Sequence, residues 1–482
     1  MRSKLSSSFF WKYLERSGSQ ASQFAVSIVL ARLLAPNDFG VLALVMAFIS
    51  VANIFVESGL RNALVQKKDA NDSDFSTAFW FSLLIAVIVY AVLYFSAPPI
   101  AAFYKNEGLT SVIRVLGITL FLGVLGSVQE AYIMKNFLFK KLFFRSLAAV
   151  IPSGILGITL AHSGFGIWAL VWQQLANAFL TCVFMLFMVP WKPALVFSVI
   201  SARKLFNFGY KLLFSSLFGV TCVNLTNLLI GKFFTPAMLG FYNRGEQFPK
   251  HIVLNVNESI NAVLFPLLAN SQDNIEQFRQ IMRRCVKASS FIIFPLMALL
   301  ASSAKPTVAF VFGEKWLPCA AFLQVNCLIL AFWPLHSANR IAMNSLGRSD
   351  MFLKCEIAGN IIGVSAMALA LYFFKTPFAV ILSQAAIIPI GCWINSIPNK
   401  ELLNYGFSDQ IKDVLPMLFC SLAAGLAVFP LSLLDAPNFV IIPLQVIPGL
   451  SIYLFLARVF KMESLYYLTG ILKTSLKYRG AM

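Results

Sequence analysis

Long apolar runs, cut by short clusters of charged and turn-forming residues, recur along the whole chain. Each run holds about 20 residues, the number a helix needs to cross a hydrocarbon core of roughly 30 Å. The pattern predicts helices over 11–34, 39–58, 76–96, 112–133, 144–161, 165–189, 206–230 and 239–265, then over 286–303, 319–342, 355–374, 377–397, 414–434 and 439–460. Two of these fourteen, 11–34 and 239–265, are polar enough to fall below a strict hydropathy window. The expected fold class is an all-α integral membrane protein with about 14 transmembrane helices.

An internal repeat organises these spans. An offset of 200 residues lays Arg32-Leu33-Leu34-Ala35-Pro36-Asn37-Asp38-Phe39-Gly40 on Lys232-Phe233-Phe234-Thr235-Pro236-Ala237-Met238-Leu239-Gly240. Each is a cation, two apolar residues and then P-x-x-[FL]-G between two spans. An offset of 207 pairs Pro99, Ala102 and Phe103 with Pro306, Ala309 and Phe310, and the Lys141 loop with the Arg348 loop. The expectation is two pseudo-symmetric six-helix lobes, residues 1–200 and 201–400, followed by two further helices and a basic tail over 401–482. Six crossings per copy is even, so the copies insert in parallel and enclose a central cavity.

Composition narrows the class further. The chain of 482 residues is 59% hydrophobic and 12% charged, with a mean hydropathy of +0.77. Those values exclude a disordered chain and a water-soluble enzyme, and the spans leave no room for a large catalytic domain. The net charge of +18 is sorted by loop and does not point to nucleic acid. Of 38 Lys and Arg, 27 fall on the N-terminal segment, the even-numbered connections and the tail, and only Lys105, Lys232, Lys305, Lys315 and Lys375 on the other face. By the positive-inside rule both termini are expected in the cytoplasm. The first apolar stretch carries Glu15, Arg16, Gln20 and Gln23, which reads as an uncleaved first span and not as a signal peptide. After Lys461, Leu465, Tyr466, Leu468, Leu472 and Tyr478 alternate with Lys473, Lys477 and Arg479. Such a segment either lies on the inner leaflet or is simply a frayed basic tail.

Candidate chemistry concentrates in the two polar spans. In 239–265, Arg244, Gln247, His251, Asn255 and Glu258 form one stripe at helical spacing, and Asn243, Glu246, Lys250, Asn257 and Asn261 form the stripe beside it. Ile252, Val256, Ile260 and Val263 take the opposite side. Each charge facing lipid at the bilayer centre costs about 3 kcal/mol on insertion scales, so the stripes must face protein or water. In 11–34, Glu15, Arg16, Ser19, Gln20, Gln23 and Ser27 share an arc of roughly 140°. With Lys211, Asn224 and Asn227 of 206–230, these polar faces are expected to line one cavity. A plainer alternative is that the charges merely pair, since Glu246 and Lys250 are spaced i, i+4. His251 likewise fits either a hydrogen-bonded bundle histidine or a proton carrier, and His162 and His336 receive no role. Pro249, Pro295, Pro334 and Pro389 lie inside spans and are candidates for bends.

Enzyme and cofactor signatures are nearly absent. The eight cysteines are scattered singly, without CxxC spacing. Asp72-Ser73-Asp74 is a DxD without a nucleotide-binding domain around it, and there is no G-x-x-x-x-G-K-[ST] for ATP.

Leu30 to Gly40 (LARLLAPNDFG), Glu57 to Gln66 (ESGLRNALVQ), Leu239 to Phe248 (LGFYNRGEQF), Leu264 to Ala269 (LFPLLA) and Phe312 to Trp316 (FGEKW) carry a resemblance that covers essentially the whole chain. In this order, on these spans, they resemble the Wzx-type lipid-linked oligosaccharide flippases, the polysaccharide transporters of the MOP superfamily, especially the WzxC- and TuaB-like group. The resemblance implies a bacterial inner-membrane flippase without cofactor. It would move an undecaprenyl-pyrophosphate-linked repeat unit from the cytoplasmic to the periplasmic leaflet for surface polysaccharide assembly, by alternating access. Its partners would be that lipid-linked oligosaccharide, membrane lipid and polysaccharide polymerase or assembly proteins, with no nucleic acid.

For such a cargo Arg244, Lys250, Arg16 and Lys211 are the candidates for a pyrophosphate path. Each contact at about 4 Å and an effective dielectric near 20 supplies roughly 4 kcal/mol of Coulomb attraction. Gln20, Gln23, Asn224, Asn227, Gln247, Asn255, Asn257 and Asn261 suit sugar hydroxyls, and Glu246, His251 and Glu258 are candidates for ion coupling. The competing readings are a multidrug antiporter of the same superfamily, which would favour an acidic or aromatic cavity, and a structural scaffold of the assembly machinery.

Overall fold

The computed structural model describes residues 2–57, 60–67, 70–136, 138–467 and 469–470. These form helices and turns, with no strand among the described residues. By contacts the chain divides into two units, Met1–Gly240 and Phe241–Met482.

The first unit contains α1 (Arg2–Leu33), α2 (Pro36–Glu57), α3 (Leu60–Gln66), α4 (Asp72–Phe103), α5 (Gly108–Gly117), α6 (Thr119–Lys135), α7 (Phe139–His162), α8 (Ile167–Met188) and α9 (Val199–Phe233). α10 (Pro236–Ala269) begins in this unit and continues into the second. The second unit adds α11 (Ile275–Ser302), α12 (Ala304–Phe312), α13 (Cys319–Ala331), α14 (Trp333–Ser345), α15 (Ser349–Phe374), α16 (Pro377–Ala386), α17 (Ile388–Leu403), α18 (Phe407–Val428) and α19 (Asn438–Val459).

Among the described residues twelve helical spans are long and apolar enough to cross a membrane. α1 and α10, at 32 and 34 residues, are also long enough to cross, and they carry the polar stripes read in 11–34 and 239–265.

α4 shows how sequence pattern becomes a membrane helix. Leu84, Val87, Ile88, Val92 and Phe95 follow helical spacing and are all exposed, Phe95 to 75%. In water such a stripe would aggregate, whereas lipid covers it at no cost. The opposite face is Ser82, Ala86, Leu93, Ala97 and Ala101, all buried. Small side chains let neighbouring backbones come close, which is how membrane helices gain packing energy where lipid is as apolar as leucine.

Helix starts and breaks follow local chemistry. Asn71 caps α4, accepting from the Asp74 amide at 2.9 Å while Asp74 accepts from the Asn71 amide at 3.1 Å. Asp74 also takes an ion pair from Lys67 at 2.6 Å. The DxD sequence is therefore a helix cap with a paired carboxylate. Pro334 and Pro389 stand in the first turns of α14 and α17, so they break spans 319–342 and 377–397 into two helices each. A proline lacks the amide that would continue the preceding helix, yet fits the first turn of a new one. Pro249 and Pro295 remain inside α10 and α11.

α9 lies with the first unit although it opens the second sequence repeat. Asn224 donates to the Ser50 hydroxyl of α2 at 3.1 Å, Tyr104 donates to the Leu228 carbonyl at 3.4 Å, and Gly231 packs against Leu44.

Candidate functional site

The polar stripe of α10 is a connected string in the second unit. Arg244 donates a short hydrogen bond to the Gln247 side chain, whose amide lies 3.5 Å from His251 Nε2. On the adjacent stripe Lys250 donates to Glu246 at 2.7 Å, the i, i+4 pair anticipated by the plainer reading. One turn or two further on, Asn257 is buried and donates to the Ser337 hydroxyl at 2.9 Å, while Asn255 is half-buried and Glu258 exposed.

Exposure separates the two cations. Arg244 is only 8% exposed, with its guanidinium 5.8 Å from the Phe312 ring centroid. The next residue explains why: a Cβ at Gly245 would lie 2.8 Å from the Leu323 amide nitrogen and from Phe322 Cβ, so α10 presses here directly onto α13. Lys250, by contrast, has a side chain 41% exposed and its Glu246 partner 24%. An ammonium has three donors, and Glu246 takes one of those of Lys250.

The remaining candidates lie in the first unit. The Gln20 side-chain oxygen is buried without a hydrogen-bond partner among the described residues, and the exposed Gln23 reaches Ser19 at 3.5 Å. Asn224 is tied to Ser50 and to the Val220 carbonyl, and Asn227 is half-buried. The side chains of Arg16, Lys211 and Asn261 lie outside the described residues, as does the tail beyond Gly470.

Two charge clusters escaped the sequence reading. In the first unit Glu130 of α6 accepts from Arg145 of α7 at 2.9 Å and from Arg61 of α3 at 3.3 Å, with Glu57 3.6 Å from Arg61. In the second, Asp413 of α18 accepts both arms of Arg283 at 2.6 and 2.7 Å, with Lys287 at 3.5 Å and the Tyr405 hydroxyl at 3.0 Å. Burial beside that carboxylate pushes the Tyr405 phenol up. An amide network joins this cluster through Gln410, which donates to the Tyr405 carbonyl at 3.2 Å: Asn339 and Gln410 exchange two hydrogen bonds of 2.8 Å, and Asn399 donates to Asn339 at 2.6 Å. The available signal was a single carboxylate, Glu130 or Asp413, at the edge of an apolar run. A lone charge there demands a partner, but periodicity does not name it.

Among the described residues no group of three or more His, Cys, Asp or Glu side chains is placed to hold a metal ion.

Comparison with known proteins places this architecture. Residues 29–321 match the model of a family described as "Polysaccharide biosynthesis protein". The teichuronic acid biosynthesis protein TuaB of Bacillus subtilis is 27% identical over 393 residues, covering 79% of each chain. The lipopolysaccharide biosynthesis protein WzxC of Escherichia coli is 25% identical over 62% of each. Among solved structures, the lipid II flippase MurJ in an inward closed conformation matches with a TM-score of 0.73 at 15% identity, covering 93% of this chain and 98% of that one. An inward-facing multidrug transporter of the MATE family, in the MOP superfamily, matches at 0.55 and 15% identity, covering 88% of this chain and all of the other. The chain thus has the fold shared by these two solved transporters, and by a match that spans well over half its length it belongs to the polysaccharide biosynthesis protein family.

Proposed function

We propose that this protein flips an undecaprenyl-pyrophosphate-linked oligosaccharide from the cytoplasmic to the periplasmic leaflet of a bacterial inner membrane, supplying surface polysaccharide assembly. The observation that carries this reading is the α10 string, where Lys250 and Glu246 stand partly open beside Arg244, Gln247 and His251 on a helix of a membrane-embedded body. A pyrophosphate needs cations to leave water, and sugar hydroxyls need amides. In this proposal α1 and α10 also cross, giving fourteen spans with both termini cytoplasmic, and the two duplicated halves alternate access. Lys250 receives the pyrophosphate by exchanging Glu246 for it. Arg244 is reached only when the Gln247 side chain gives way, and the released Glu246, with His251 and Glu258, is the place for ion coupling.

The test is export at matched protein levels. Lys250→Gln and Arg244→Gln are each expected to cut surface polysaccharide at least tenfold and to leave lipid-linked repeat units on the cytoplasmic leaflet. Normal export by both variants overturns the assignment. Flipping in proteoliposomes that ignores imposed proton and sodium gradients removes the coupling role. Because the fold is shared with multidrug exporters, a deletion strain that loses drug resistance while keeping its polysaccharide would favour that class of cargo.

A further inference from the structure

A second polar site lies at one end of the second unit, far along the chain from the α10 string. Arg284 and Lys287 of α11, with Glu463, Ser464 and Tyr467 of the segment after α19, line a cleft of about 300 Å³. That is the lower end of the size range of small-ligand sites, about 300–1,000 Å³, room for a headgroup and not for an oligosaccharide.

The charges around it are unevenly matched. Arg283 is held by Asp413 through both arms, and the Lys287 amine sits 2.9 Å from Glu463 and 3.5 Å from Asp413. Arg284 is exposed and has no carboxylate partner among the described residues. A guanidinium offers five donors in a planar fork that matches the oxygens of a phosphate. The chain leading into the cleft presents Phe455, Val459 and Phe460 outward, exposed to 66%, 56% and 64%, and Tyr467 at the rim is half exposed. Apolar side chains followed by a tyrosine and then cations are the order met on passing from acyl chains through the interface to the phosphates.

We propose that this cleft binds the phosphate of an anionic phospholipid of the cytoplasmic leaflet, with Arg284 as its principal donor and Lys287 as its second. The headgroup takes the place of Glu463 on Lys287, and its acyl chains lie along Phe455 and Val459. Binding thereby couples the start of the C-terminal segment, which Glu463 otherwise pins to α11, to the charge of the leaflet. The proposal rests on the cytoplasmic placement of this end given above. Lipid retention is measured without transport, so failure here leaves the flippase reading untouched, and failure of flipping leaves this site standing.

The experiment is native mass spectrometry of the purified full chain in detergent, titrated with phosphatidylglycerol or phosphatidylcholine. Arg284→Gln is expected to lower phosphatidylglycerol retention about fivefold, the worth of one basic residue at an anionic surface, and Arg284→Lys to restore part of it. Glu463→Gln is expected to raise retention, because it removes a competing anion, whereas a merely structural Glu463 would not. Arg279→Gln, a cation on the same helix already paired with Glu276 at 2.8 Å, is expected to bind as wild type, and phosphatidylcholine to bind all variants alike. An unchanged melting temperature for Arg284→Gln shows that the variant folds. Equal phosphatidylglycerol retention by Arg284→Gln and wild type overturns the site. Full displacement by an excess of inorganic phosphate also overturns it, in favour of a free-phosphate site.

Discussion

Gly40 and Gly240, equivalent positions in the two sequence repeats, close on each other's motif. A Cβ at Gly40 would overlap the Pro236 carbonyl oxygen, and a Cβ at Gly240 would overlap the Pro36 carbonyl oxygen. Each would also stand 3.1–3.3 Å from the other glycine's amide nitrogen. The obstacle on both sides is backbone, which cannot swing aside as a side chain does. Gly40→Ala and Gly240→Ala are therefore each expected to destabilise by about 1–3 kcal/mol, the usual cost of overpacking. Gly126→Ala, with open space around it, is expected to stay within about 0.5 kcal/mol. Thermal melts of the purified variants in one detergent decide it; equal melting of all three would show that the two motifs part freely.

Glu130 is the shared acceptor of two arginines, and Arg145 among them is buried, its side chain 10% exposed. Glu130→Gln keeps the shape but takes the shared charge from Arg145 and Arg61, leaving Arg61 its second carboxylate, Glu57, at 3.6 Å. A loss of about 1–3 kcal/mol is expected, as for a hydrogen-bonded charge partner removed, at the low end because Arg61 is about a third exposed. A melting temperature identical to wild type would reduce the cluster to an ordinary surface pair.

Asp413 collects four donors with its own side chain only 5% exposed. Asp413→Asn removes the charge those donors share and is expected to cost more than Tyr405→Phe, which deletes one hydrogen bond worth about 1 kcal/mol. Reversal of that order in denaturation measurements would mean that the phenol, not the cations, holds the carboxylate.

Glu463 supplies a pH dependence. The Lys287 ammonium bonded to it holds its carboxyl below the ordinary value of 4.5. A lowered folded-state pKa means that the contact stabilises fully above about pH 4.5 and is lost as pH falls through the lower folded value. Melting temperatures measured from pH 6 to pH 3 are expected to converge for wild type and Glu463→Gln at the acid end, with wild type the more stable above. A gap that widens on acidification contradicts the pairing.

The amino-acid order alone determined the membrane class, the approximate helix positions, the two unusually polar helices and the duplicated P-x-x-[FL]-G motif. Those follow from the free energy of moving a window of about 20 residues into lipid, a sum over neighbours in the chain. It also marked Glu246 and Lys250 as a pair, because i, i+4 neighbours on one helix must meet. Which distant polar groups meet was decided only by packing. Arg244 disappears beside Phe312 while Lys250 stays open, since Gly245 admits α13 at just that turn. Asn224 joins α2, and Asp413 gathers Arg283, 130 positions away. Nor could the repeat announce that its two glycines would meet: helical periodicity fixes the face a residue occupies, whereas the partner of that face depends on how whole helices come together.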